Sequence, residues 1–138
     1  VSTPPADLSA TGFGAGGERW TLTAHSAGGR LRAMVEVVEP DGRRWVAGSG
    51  GPPLPAGRRV ATFAGRSGAG ARVVIVRVAA DVRGVVAILT DDTREDLSLH
   101  GDAAVLGARL AVLVHPADVA LASMTLVGRD GSHLAETL

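Results

Sequence analysis

After Arg19 the chain alternates short runs of apolar residues with clusters of turn-forming ones. ERWTLTA, LRAMVEVVE, RRWVAG, RRVATFAG, RVVIVRVA, GVVAILT, ARLAVLVH and SMTLVG are separated by AGG, PDG, GPPLPAG, GRSGAG, DDT and RDG. Each run has strand length, and each break holds residues that tolerate tight backbone reversal. The pattern predicts an all-β protein, an immunoglobulin-like antiparallel β-sandwich of seven to nine strands with at most one short helix. Within the runs the period is two. Trp20, Leu22 and Ala24 share one face, Val74, Val76 and Val78 share another with Arg77 kept off it, and Leu110, Val112 and Val114 lie opposite Arg109.

Turn chemistry fixes several reversals. Pro40-Asp41-Gly42 sets a rigid φ, a side chain able to bond its own backbone and a residue free to take positive φ, in that order, so a hairpin is predicted there. Asp91-Asp92-Thr93 and Arg129-Asp130-Gly131 predict two more. Residues 48–57, GSGGPPLPAG, hold three prolines that remove ladder donors, and read as a loop crossing between sheets. Asp102 is placed to cap a short helix, residues 108–115 read as strand rather than helix, and Pro116 ends that element. Residues 1–17, VSTPPADLSATGFGAGG, are small and polar enough to read as a flexible leader or tether, leaving residues 18–138 as a single domain.

Composition narrows the function. With 46% hydrophobic and 20% charged residues in a chain of 138, a packed core is affordable without disulfide or metal. Fourteen basic residues, all Arg, balance fourteen acidic ones, so no overall field draws the chain to nucleic acid. The absence of Lys excludes Schiff-base chemistry, and the absence of Cys excludes thiol catalysis, iron–sulfur clusters and thiolate zinc sites. No apolar run reaches membrane-spanning length, so no direct membrane insertion is predicted.

Candidate chemistry is sparse. GFGAGG at residues 12–17 fits G-x-G-x-x-G but lacks the preceding strand and following helix of a dinucleotide site, and reads as linker. GRSGAG at 65–70 and AGSGG at 47–51 miss the nucleophile-elbow pattern by one glycine. His25, His100, His115 and His133 are scattered without metal-ligand spacing. Asp91, Asp92, Glu95 and Asp96 form an acidic run without a calcium-loop glycine, which reads as a solvated hairpin tip with Arg94 offsetting the charge. Trp20 and Trp45 sit inside strand patterns and are expected in the core. Arg43-Arg44 and Arg58-Arg59 read as solubilising pairs. No catalytic, cofactor-binding or metal-binding residue is assigned. The available loops, 48–57 and 65–71, make Ser49, Leu54, Arg58, Arg66 and Ser67 the candidate partner-binding residues.

The stretches ERWTLTAHSAGGRLRAMVEV, VIVRVAADVRGVVAILTDDTREDL and LAVLVHPADVALASMTLVGRDGSHL carry a Trp-bearing strand, a DV-x-x-V strand before an acidic turn and a terminal D-G hairpin. In these features the chain resembles extracytoplasmic β-sandwich domains of uncharacterised, membrane-tethered actinobacterial proteins, some encoded with sigma-factor regulators. The resemblance implies an extracytoplasmic or cell-surface location over a cytoplasmic one. Members of that group often carry cysteines near the positions of Ala33 and Ser49, where this chain has none. The expectation is therefore a non-enzymatic binding, sensing or assembly module with a protein partner or self-association, no nucleic acid and no cofactor, acting through an exposed edge strand. The alternatives are a self-assembling structural protein and, behind it, a hydrolase or metal-dependent enzyme.

Overall fold

The computed structural model describes residues 7–66 and 70–134. Eleven antiparallel strands and one short helix occupy them, so the all-β expectation is met, with more strands than the seven to nine expected. In chain order the strands are β1 (Leu8–Phe13), β2 (Arg19–Ala27), β3 (Arg30–Val38), β4 (Arg44–Ser49), β5 (Val60–Arg66), β6 (Arg72–Val78), β7 (Val82–Leu89), β8 (Arg94–Leu97), β9 (Arg109–His115), β10 (Leu121–Gly128) and β11 (His133–Leu134), with helix α1 (Ala103–Leu106) before β9. They form three sheets, ordered β1-β2-β3-β4, β5-β6-β9 and β11-β10-β7-β8.

The three-stranded sheet is the middle of three layers. One face of it, with Val73, Ile75, Leu110, Val112 and Val114, packs on Trp20, Leu22, Ala24, Leu31, Ala33, Val35 and Val37 of the first sheet. The other face, with Val74, Val76, Val78, Ala111 and Leu113, packs on Val82, Val85, Ala87, Leu89 and Leu126 of the third. A strand buried on both faces has no polar side, which is why RVVIVRV and RLAVLVH are nearly continuous apolar runs while β2 and β3 alternate.

Arg77 lies off the valine face as expected, yet it is fully buried, because its own face is covered by the first sheet. Its guanidinium donates to the carbonyls of Pro52 (2.9 Å) and Leu31 (3.0 Å) and to the Ser49 hydroxyl (2.8 Å), and stacks 4.6 Å from the Phe63 ring centre. No carboxylate is among these partners. Burial pushes its pKa down, but an arginine remains charged at any ordinary pH. A loop does cross from the first sheet to the middle one, but over 50–59 rather than 48–57, because Gly48 and Ser49 end β4, and Arg77 clamps it.

The hairpins follow their turn residues. Gly28 and Gly29 both hold positive φ (59° and 76°), as the two-residue loop closing the Ala27–Arg30 pair requires. At 40–42, Asp41 accepts from the Arg43 N–H at 2.9 Å and Gly42 donates to Glu39 at 2.8 Å. The other two predicted turns form as well, Asp91 accepting from the Thr93 N–H and Asp130 from the Ser132 N–H, each at 3.0 Å. Asp102 caps α1 by accepting from the Ala104 N–H at 2.9 Å, and 109–115 is strand.

The leader expectation needs correction beyond residues 1–6, which lie outside the described residues. Leu8–Phe13 pair with β2 over six consecutive rungs, from Leu8 opposite Ala24 to Phe13 opposite Arg19. Leu8 and Ala10 pack against the core, and Gly12 lies against the Trp20 indole. Small, polar composition suggested a tether; the need to cover Trp20 makes a strand.

Candidate functional site

The expected partner-binding loops do not converge. The Ser49 hydroxyl is engaged by Arg77, and Leu54 is half-buried against the core between the first and middle sheets. Arg58 is exposed just before β5, whereas Arg66 closes the far end of that strand, which is itself roughly 20 Å long at about 3.3 Å per residue. The side chain of Arg66 and the whole of Ser67 lie outside the described residues.

The histidines are likewise dispersed. His25 sits on β2 with its Nδ1 3.4 Å from the Asp7 carboxylate. His115 is buried, its Nδ1–H donating to the Pro116 carbonyl at 2.9 Å. His133 is exposed on β11, and His100 meets Trp20 edge to face with ring centres 5.8 Å apart. Among the described residues, no three His, Asp or Glu side chains gather where a metal ion could be held. Trp20 is in the core as expected. Trp45 packs against the same core, with its indole Nε1 buried and unpartnered. The glycines of GFGAGG serve packing. A Cβ on Gly12 would stand 2.3 Å from the Trp20 ring, and one on Gly16 would stand 2.6 Å from the Glu18 carboxylate, which accepts from the Gly16 N–H at 3.0 Å.

What the structure does build is a slot along the free edge of β9. The outer sheets have four strands each and the middle sheet three, so on the β9 side the middle layer stops short between β1 and β8. The slot holds about 390 Å³. Thr11, Gly12 and Trp20 line it from the first sheet, Glu95, Asp96, Leu97 and Ser98 from β8 and its end, and Val112 and Val114 from β9.

Backbone register shows which way the β9 edge points. Leu110 exchanges both of its hydrogen bonds with His100 (2.7 and 2.9 Å), on the side away from β6. In an antiparallel ladder the outward-facing residues recur every second position. Val112 and Val114 therefore turn their N–H and C=O groups into the slot, where no partner meets them among the described residues. His100 thus supplies the first rung of a fourth strand. Upstream of it the chain departs, and Leu97 pairs instead with Val85 of the third sheet. At the other end Pro116 has no N–H to offer. Two rungs, Val112 and Val114, remain open.

Charge in the slot is one-sided. Among the described residues, Glu95 and Asp96 are its only charged lining residues. His100 is held below its ordinary pKa of 6.5, first by burial and then by the neighbouring Arg109 guanidinium, so it is neutral at pH 7. Asp96 is exposed and lies 3.2 Å from Arg94.

Sequence reasoning anticipated an edge strand but not this one, because an edge inside a three-layer stack is invisible until the layers are counted. The available signal was the pair of continuous apolar runs, which mark β6 and β9 as neighbours in a sheet covered on both faces. Comparison with family models, with curated proteins and with solved structures returns no match.

Proposed function

We propose that this protein is a non-enzymatic binding module that captures an extended segment of a partner protein as the fourth strand of its middle sheet. The observation that carries this reading is the pair of open rungs at Val112 and Val114, recessed between two overhanging sheets. Strand addition draws affinity from main-chain hydrogen bonds and specificity from the side-chain surroundings on either face. Here those surroundings are the Gly12–Trp20 surface on one side and the β8 surface on the other. An edge exposed on the outside of a sheet invites indiscriminate pairing, whereas a recessed one admits a single strand of limited length.

Self-assembly through the same edge is the second reading, and it places a second copy in the role of partner. The exposed apolar side chains lend it little. Of the exposed large apolar side chains among the described residues, Phe13 lines the slot, whereas Met34 on β3, Val46 on β4 and Val105 on α1 do not. On the resemblance of its sequence we place the module in an extracytoplasmic or cell-surface setting.

The test is selection from a random heptapeptide display library against the whole chain, followed by retesting of enriched sequences on Val112→Pro. Proline at 112 deletes the N–H that faces the slot and no bond to β6. Loss of the selected peptides from the variant, together with protection of the Val112 and Val114 amides from hydrogen exchange when peptide is bound, supports capture at β9. Equal retention by Val112→Pro rejects it. Sedimentation over a concentration series identifies self-association.

A further inference from the structure

Glu95 occupies an unusual position. β8 pairs with β7 so that Leu97 is opposite Val85 and Glu95 is opposite Ala87, and both of those β7 residues are buried against the middle sheet. Glu95 and Leu97 therefore share the face of the third sheet that looks toward the middle layer. Glu95 is half-buried, lines the slot, and has no ion pair or hydrogen bond among the described residues. Half-buried on the inward face, it is available to a cationic group that enters the slot.

We propose that the captured segment carries a basic side chain, Lys or Arg, at the position that faces β8, where Glu95 receives it. This inference rests on the strand-addition reading. The geometry supplies the selectivity. Side chains of an added strand point alternately to the two outer sheets, so one set meets β8 and the next meets Gly12 and Trp20. The β8 set faces Glu95, while Asp96 points to the other face of β8 and pairs with Arg94, and among the described residues no Lys or Arg lines the slot. Asp91 and Asp92, at the tip of the same β7–β8 hairpin, leave it net negative even after Arg94 offsets Asp96, although the chain as a whole is neutral. Such a field steers a cationic segment toward the slot and opposes an anionic one. On the opposite wall Gly12 packs directly on the buried Trp20 indole, and this uncharged surface suits an apolar side chain from the intervening position.

An inward-pointing charge on an edge strand also discourages sheets from joining edge to edge. That role alone makes no demand on the charge of a captured segment, and the following experiment separates the two.

Three labelled, terminally blocked hexapeptides of alternating Val and Thr, identical except for one central Thr position replaced by Lys, norleucine or Glu, are titrated by fluorescence anisotropy against the whole chain. The Lys peptide is expected to bind about fivefold or more tighter than the norleucine peptide, with the Glu peptide weakest, and the spread to narrow as salt is raised, as charge pairing at a partly exposed site requires. Glu95→Gln brings the Lys and norleucine peptides within about twofold of each other, while Asp118→Asn, a carboxylate outside the slot, preserves the gap. Equal affinity of the Lys and norleucine peptides for the unaltered chain, with both lost on Val112→Pro, overturns the basic preference and leaves strand capture standing. A gap that survives Glu95→Gln overturns the role of Glu95. Failure of all three peptides to bind, or binding that ignores Val112→Pro, counts against strand capture itself.

Discussion

The two edges of the middle sheet are finished differently: β9 is buried on both faces, whereas β5 alternates and leaves one face partly open. At β9 both outer sheets overhang, β1 on one side and β8 on the other, and the unpaired backbone faces a walled slot. At β5 the first sheet closes tightly, with Ala47 of β4 only 2.7 Å from where a Cβ on Gly65 would stand, while the third sheet stops short and leaves Thr62 and Ala64 exposed. The cleft there, about 320 Å³ and lined by Thr62, Ala64, Arg72, His115 and Leu121 among others, is open on one side. A strand added at β5 gains main-chain bonds and one wall; a strand added at β9 gains two. Open hydrogen-bonding groups make an edge sticky, and flanking layers make it selective.

The contrast is broken most severely at Arg77, which fastens the crossing loop behind the β5 side. Arg77→Ala leaves the carbonyls of Leu31 and Pro52 and the Ser49 hydroxyl without their donor and opens a cavity beside Phe63. The expected loss is about 2–4 kcal/mol in urea denaturation. A loss below about 0.5 kcal/mol, the range of ordinary surface substitutions, shows that Arg77 is not the clamp.

Gly12→Ala tests the wall of the other edge. Its Cβ collides with the Trp20 ring, a rigid group already packed in the core, so a cost of about 1–3 kcal/mol is expected, read as a lower midpoint in scanning calorimetry. An unchanged midpoint means that the indole has room to move and the wall is soft.

Matched prolines address the edges directly. Arg59 bonds to Ala79, so the alternation along β5 turns the Thr62 N–H away from β6, as that of Val112 is turned away on β9. Neither Thr62→Pro nor Val112→Pro removes a bond to β6. Peptide affinity should fall more than tenfold, about 1.4 kcal/mol, in Val112→Pro and change less than about twofold in Thr62→Pro. Equal losses in the two variants erase the distinction.

The smallest effect is a pH dependence seated at the β9 edge. Burial and Arg109 hold the His100 pKa below 6.5, so on acidification the unfolded chain takes up this proton before the folded one does. Stability from this group is complete above about pH 6.5 and declines as pH falls toward the depressed folded value. His100→Gln should flatten that part of the profile. The carboxyls of Asp41, Asp91 and Asp130 are held below their ordinary 3.8 chiefly by hydrogen bonds from the Arg43 backbone, the Thr93 side chain and the Ser132 side chain respectively. Their contribution is lost only below about pH 4, outside the His100 window. A slope near pH 6 that persists in His100→Gln assigns it to another group.

Much of the fold was legible. Turn residues at 40–42, 91–93 and 129–131 announced their hairpins, and alternation in β2 and β3 announced sheets with one polar face. Two things were hidden. Leu8–Phe13 looks like linker because a strand whose task is to cover one indole can be made of Ser, Ala, Thr and Gly. Arg77 looks solvent-facing because an arginine opposite a row of valines usually marks a polar face; only a third layer buries it. Of the slot, the residues were visible but their meeting was not, since β1, β8 and β9 are distant in sequence and adjacent only through layer stacking.

Between the His100 rung and Pro116 lies room for a grip only two residues deep. So short a handhold lets go quickly, and lasting attachment then depends on numbers: several such modules along one target, or one held near it, so that rebinding outpaces escape.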